Sequence, residues 1–201
     1  MGFRELNQKR RAVKQFSDKL VEKEAIYQAI EMASLSPSAH NIQPWHFVLV
    51  KERKHELAVS LPELNQKQVA SSQYVIALFT DTALSQRSLE IAELGKEDFP
   101  ESLLTYLTET MPKRFAAFDK VATGEYLALN AGIVVMNLVL TLTEMGLGSN
   151  IILGFDKSKL NSLLEVDKRY RPELLVTVGY SNDNSSANSY RLPIEHLIEE
   201  R

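Results

Sequence analysis

The stretch SLSPSAHNIQPWHFVLV, residues 34–50, decides how this chain is read. Pro37 and Pro44 push Ser36 and Gln43 toward extended backbone, so neither belongs inside a helix. The apolar run Phe47-Val48-Leu49-Val50 then reads as a buried strand. Helix end, ordered loop and strand follow one another. The loop carries His40, Asn41 and Gln43, and the only tryptophan of the chain, Trp45, stands with His46 at the strand's entry. A plain connector would carry glycine and serine there. These side chains suit a loop that binds or braces something.

Upstream, Glu22 to Leu35 places Ala25, Ile26, Ala29, Ile30 and Ala33 at helical spacing, with Asp18 and Glu22 near the start. That pattern predicts an amphipathic helix. Downstream, a strand is expected over His46–Lys51, a helix over Glu52–Ser60 closed by Pro62, and a second strand over Tyr74–Thr80 (YVIALFT). Residues 84–120 are helical in pattern but broken at Gly95, Pro100 and Pro112, which predicts an insertion of two short helices. Tyr126 to Leu142 (YLALNAGIVVMNLVLTL) is apolar nearly all round. It contains Asn130, Gly132, Asn137 and Thr141 and falls short of the roughly 20 residues a bilayer needs. A buried central helix or a subunit-interface helix is expected, not a membrane span. Its stop is Met145-Gly146. A strand over Ser149–Leu153, a helix over Lys157–Leu164, a strand over Leu174–Tyr180, a polar loop over Ser181–Ser189 and a short terminal helix complete the order. Four short strands among many helices describe one α+β layered domain spanning residues 1–201.

Composition narrows the function. A net charge of −3 argues against a nucleic-acid partner, which calls for a basic excess or stripe. The absence of cysteine removes thiol nucleophiles, disulfides and thiolate metal sites. Met1 to Arg11 is charged and has no apolar core of the kind a secretory signal needs, so a cytoplasmic protein is expected. Without such a signal, the glycosylation pattern Asn184-Ser185-Ser186 carries no weight.

Gly146-Leu147-Gly148 begins like a dinucleotide fingerprint, but Ile151 occupies the third glycine's place and the run follows a helix. It reads as a helix stop and a turn into a strand. No phosphate loop and no GxSxG elbow is present. His40 and His46 are poorly spaced for a metal. The cluster Lys9-Arg10-Arg11, with Lys14 behind it, is an ordinary solvated charge run unless a bend focuses two or three of its cations on one anion. Guanidinium groups hold phosphate oxygens through paired, charge-assisted hydrogen bonds. Arg191 adds a second basic position near the C-terminus.

In order, the chain presents Arg10-Arg11-Ala12-Val13-Lys14-Gln15-Phe16, then Ser36-Pro37-Ser38-Ala39-His40-Asn41-Ile42-Gln43-Pro44-Trp45. Gly146-Leu147-Gly148, Leu153-Gly154-Phe155, Gly179-Tyr180 and Arg191-Leu192-Pro193 follow. In that order the chain closely resembles the nitroreductase-like family of FMN-dependent oxidoreductases over essentially its whole length. The resemblance implies a homodimer of interwoven α+β subunits. Each would have a small, mostly antiparallel sheet flanked by helices, with the long central helix at the dimer interface and two FMN sites between the subunits. By the same resemblance, Arg10 and Arg11 match the N-terminal basic pair, of which the first holds the FMN phosphate, Arg191 matches the C-terminal phosphate arginine, and Lys14 matches the lysine near the N1/O2 edge of the flavin. Asn65 and Gln68 match polar contacts to the pyrimidine edge. Leu153 and Gly154 match the turn at the N5/O4 edge. Pro37, Ser38, Ala39 and Asn41 match the loop that one subunit lends to the other's cofactor, braced by Gln43, Pro44 and Trp45. Ala12 stands where the family often has serine, and Ser189 where many members carry a lysine or arginine; both departures predict a weaker hold on the phosphate.

The activity implied is reduction of small electron-poor acceptors, nitroaromatics or quinones, with NADH or NADPH as donor and a ping-pong exchange on the flavin face. No acid–base residue is required, because the flavin carries the chemistry. The insertion over 84–120 would tune the choice of acceptor, with Phe115 and Phe118 either capping the ring or simply packing a helix. A non-catalytic FMN carrier or sensor on the same scaffold is the alternative.

Overall fold

Alternation along β2, Tyr74–Asp81, explains the layering. Tyr74, Ile76 and Leu78 point to one face of the sheet, Val75, Ala77 and Phe79 to the other, and all are buried. A strand covered on both faces reads as a continuous apolar run, and this one does. The computed structural model describes residues 1–182 and 189–201. Its four-stranded sheet adds β1 (Trp45–Val50), β3 (Gly148–Ile152) and β4 (Tyr170–Gly179) to β2, in the order β1-β2-β4-β3, every pair antiparallel. β2 and β4 are therefore central, while β1 and β3 form the edges.

One face packs on α2 (Lys23–Ser34) and α8 (Lys120–Glu144). There Ile26, Ala29 and Ala33 of α2 meet Val134, Leu138 and Leu142 of α8 over Ile76, Leu78, Val176 and Val178. The opposite face packs on α3 (Lys54–Val59), α4 (Glu63–Ser71) and α9 (Lys157–Leu164), through Leu57, Val69 and Leu160 against Val75, Ala77, Phe79 and Leu175. Three layers result, as α+β composition requires. The expected α+β fold with its small antiparallel sheet is what the chain adopts.

The insertion is more broken than a pair of helices. It comprises α5 (Leu84–Leu94), α6 (Glu101–Thr105), a π-helical turn (Tyr106–Thr110) and α7 (Met111–Ala116). It forms its own apolar cluster with Leu84, Ala92, Leu107, Met111 and Phe115, joined by Ile42 from the loop and Leu127 from α8.

α8 begins at Lys120 instead of Tyr126, because the Asp119 carboxylate accepts from the Ala122 N–H at 2.8 Å and caps the first turn. Among the described residues it is the one helix long and apolar enough to cross a membrane, but half of its most apolar stretch is buried inside the protomer. It is a core helix, with Leu129 and Met136 left on its outer side.

Two helices were not anticipated. α1 (Phe3–Lys9) buries no side chain, so it left no apolar period to read. α4 follows Pro62, which opens that helix as well as closing α3. Its weakly amphipathic sequence ELNQKQVAS concealed it. Gly146 adopts φ +79° at the foreseen helix stop, a conformation that favours glycine. The expected terminal helix is a single 3₁₀ turn at Ile194–His196. Most of the polar loop expected over 181–189, with the Asn184-Ser185-Ser186 pattern, lies outside the described residues.

Candidate functional site

Residues 10–17 leave α1 and run across the end of the sheet. Ala12 bridges Ser149 in parallel, the Val13 N–H donates to the Ser149 carbonyl at 2.9 Å, and the Ser17 N–H donates to the Tyr180 carbonyl at 2.9 Å. Val13 and Phe16 face inward and are buried, while Lys14 between them is exposed. Gly148 and Gly179, paired across β3 and β4, make this possible. A Cβ on Gly148 would lie 2.8 Å from Val13, and one on Gly179 would lie 2.8 Å from Phe16. Burial of two side chains thus fixes the direction of the basic ones. Arg11 donates to the Ser181 hydroxyl at 3.3 Å. Among the described residues, the Arg10 and Lys14 side chains have no hydrogen-bonding or ionic partner.

Beside this segment, β3 holds α4 and the turn after it. The Asn150 amide donates to Gln68 Oε1 at 2.5 Å, and Gln68 Nε2 donates to the Leu64 carbonyl at 3.1 Å. Gln68 is 8 % exposed, so its amide ties α4 to β3. Asn65 donates to the Gly154 carbonyl at 3.2 Å, and Leu153 next to it is exposed. Arg10, Arg11, Ala12 and Lys14 are thereby carried on the same strand, β3, as Asn65, Gln68, Leu153 and Gly154. Nothing in the sequence pattern marked Asn150.

Pro37, Ser38, Ala39 and Asn41 belong to a second assembly built on α8. The Ala39 N–H donates to Asn130 Oδ1 at 2.9 Å, and the Tyr126 hydroxyl donates to the Ala39 carbonyl at 2.5 Å. The Gln43 N–H donates to the Ser38 hydroxyl at 2.9 Å, and Gln43 Nε2 reaches Asn41 Oδ1 at 3.3 Å. Arg87 donates to the Gln43 carbonyl at 3.1 Å. Further back, Arg169 grips both Asp81 and Glu90, whose carboxyl it holds below the usual range. His40, Asn41 and Gln43 all have positive φ, at 58°, 54° and 46°. Such backbone persists only where its surroundings over-determine it. Burial pushes the Tyr126 phenol up to about 12, so it stays a donor at neutral pH.

His40 stacks near-parallel on Tyr126 and edge-on to Phe115, each at 6.2 Å between ring centroids. Phe115 is 6 % exposed and also packs against Phe118 at 5.6 Å, so its ring serves this cluster. Asn130, one of the polar interruptions that argued against a membrane span, proves to be fully buried and to hold the loop. Arg191 is exposed and donates to the carbonyls of Ser189 and Tyr190, beside the tail's own backbone. The described contacts do not join it to either assembly.

Comparison with known proteins matches residues 8–180 to the Nitroreductase family model. The chain is 58 % identical over 201 residues to Spy0809 of Streptococcus pyogenes serotype M6, provisionally named an NAD(P)H nitroreductase, with 100 % of both chains covered. It superposes on a nitroreductase family protein from Streptococcus pneumoniae TIGR4 with a TM-score of 0.97 and 52 % identity, again over 100 % of each chain. A provisionally named nitroreductase from Exiguobacterium sibiricum 255-15, solved in complex with FMN, superposes with a TM-score of 0.91 at 26 % identity, covering 100 % of this chain and 98 % of that one.

Proposed function

The chain belongs to the nitroreductase family, and from that premise we propose an FMN-dependent NAD(P)H oxidoreductase, acting as a cytoplasmic homodimer on small electron-poor acceptors such as nitroaromatics and quinones. The observation that carries this reading is the display of Arg10 and Lys14, two cations without partners among the described residues, on the strand that also holds Asn65 and Gly154. A dianionic phosphate and a planar ring with polar edges need those two kinds of group side by side. The residues therefore fit FMN. The FMN complex of the Exiguobacterium relative supports the same cofactor.

In this reading Arg10, the first of the basic pair, holds the phosphate, with Arg191 as a second contact and Arg11 beside it on Ser181. Lys14 places a fixed positive charge beside the ring's N1/O2 edge, which favours the reduced cofactor. Asn65 orients the pyrimidine edge, and Gln68, its amide engaged by Asn150 and Leu64, holds α4 in place for it. Gly154 presents a turn in which an added Cβ would meet only Asn65, at 3.9 Å, so space remains for a ring. FMN, when bound, supplies the redox chemistry by accepting hydride from NADH or NADPH and passing it to the acceptor.

The loop with Pro37, Ser38, Ala39 and Asn41 closes the site of the partner subunit. Support comes from its anchoring on α8, whose outer side carries Leu129 and Met136 and whose Asn137 donates to the carbonyl of Met32, exposed with Leu35 at the end of α2. Large apolar side chains grouped on one outer layer suit a subunit interface.

The test is a visible spectrum of the protein desalted after incubation with FMN, followed by anaerobic titration with NADPH and NADH. Flavin bands that bleach and return on adding a quinone or nitroaromatic establish the oxidoreductase. Bound flavin that ignores both nicotinamides means a carrier instead. Sedimentation over a concentration series is expected to show a dimer; a flavin-loaded monomer would overturn the shared-site architecture.

A further inference from the structure

Among the described residues, two buried side-chain polar atoms lack a hydrogen-bond partner, and His40 Nδ1 is one of them. Its ring is clamped between Tyr126 and Phe115, and its backbone is held left-handed at φ 58°, ψ 18°. The imidazole therefore has little freedom to turn and find another partner. Nε2 is not among the buried atoms and has no partner among the described residues, which makes it the ring's outward nitrogen.

A neutral imidazole carries one proton. Buried N–H groups without an acceptor are rarer than buried acceptors left under-satisfied. The proton accordingly belongs on Nε2, leaving Nδ1 with a bare lone pair. Burial and the nearby Arg114 guanidinium both hold the ring below its ordinary protonation range, so it is uncharged at neutral pH. The loop thus displays a fixed, neutral N–H donor between Ala39 and Asn41.

We propose that His40 is a specificity-determining residue of the acceptor site, its Nε2–H donating a hydrogen bond to an oxygen of the bound acceptor. The proposal rests on reading this loop as a wall of the FMN site. It selects acceptors that end in oxygen, a nitro group or a quinone or enone carbonyl, over those that offer no acceptor atom.

The test uses the FMN-loaded protein with nitrogen-15 in its histidines. Long-range proton–nitrogen correlations report which ring nitrogen bears the proton, and the His40→Phe variant assigns the signal while keeping an aromatic ring in the cluster. Benzoate, a carboxylate isostere of nitrobenzene that takes up no hydride, is the probe. The expected results are an Nε2-protonated neutral ring, a downfield shift of its proton on adding benzoate, and benzoate affinity about tenfold weaker in His40→Phe. An Nδ1-protonated or cationic ring, a signal unmoved by saturating benzoate, or unchanged affinity in the variant would each overturn the proposal. If the variant cannot be loaded with FMN, the wild-type tautomer and its response to benzoate decide alone. Flavin loading is measured first: a wild-type protein that takes up no FMN overturns the cofactor reading, and this proposal with it.

Discussion

The Tyr126 hydroxyl donates to the Ala39 carbonyl while Asn130, one turn further along the same helix, accepts from the Ala39 N–H. Ala39 is thus held on both sides of its backbone by α8, and the left-handed residues that follow start from a fixed point. The helix that forms the core also sets the shape of the loop.

Asn130→Leu keeps the branched shape, with a larger volume, but removes the acceptor for Ala39 and leaves a part-buried N–H without a partner. A loss of about 1–3 kcal/mol is expected, lowering Tm by about 2–4 °C per kcal/mol for a chain of this size. Tyr126→Phe, which deletes one hydrogen bond, is expected to cost about 1 kcal/mol. Thermal denaturation gives the first readout and FMN titration the second. Melting that drops while FMN affinity stays unchanged would separate this loop from the cofactor.

Gly179→Ala sets a Cβ 2.8 Å from the buried Phe16 ring. Either Phe16 or the segment carrying Lys14 must move, at a cost of about 1–3 kcal/mol. Chemical denaturation measures it. Wild-type stability in this variant would mean that the segment lies less tightly on the sheet than its hydrogen bonds imply.

Arg10→Ala and Lys14→Met remove a half-buried and an exposed cation, neither with a side-chain partner among the described residues, so little change in stability is expected. On the proposed function each weakens FMN binding by about tenfold or more, and the loss shrinks at high salt because screening already weakens the wild type. Flavin fluorescence titrations at two ionic strengths check this. Equal affinities across all three proteins would remove the basic segment from the site.

Burial lowers the protonation range of both His40 and His46 in the folded protein below the ordinary 6.5. The unfolded chain then binds more protons in that window, so stability is full above pH 6.5 and declines as pH falls through it. Melting temperature is expected to drop between about pH 7 and pH 5, more gently in His40→Phe. A profile flat through that range in the wild type would show that both rings titrate as they do in water.

The candidate site was legible in sequence as positions along the chain and illegible as an assembly. Pro37 and Pro44 declared the loop by keeping Ser36 and Gln43 out of a helix, although Gln43 is held at φ 46° instead of the extended backbone expected before a proline. The apolar run Tyr74–Phe79 of β2 and the core helix declared themselves by patterning. Asn130 was visible, but only as an interruption of an apolar run. Its role depends on Ala39, 91 positions away. Gln68 matched a cofactor contact by position, yet its amide is taken by Asn150 and Leu64.

What the sequence by itself determined is what acts locally: the strands and helices with strong periodicity, the loop between two prolines, the helix stop at Gly146, and the clustered charges of the N-terminal segment. Tertiary structure alone decided the rest. It made a helix of the polar stretch Glu63–Ser71, turned Lys14 outward by burying Val13 and Phe16, and held His40 left-handed with one nitrogen buried. Each of these depends on which distant residues meet, and short-range propensity does not encode that.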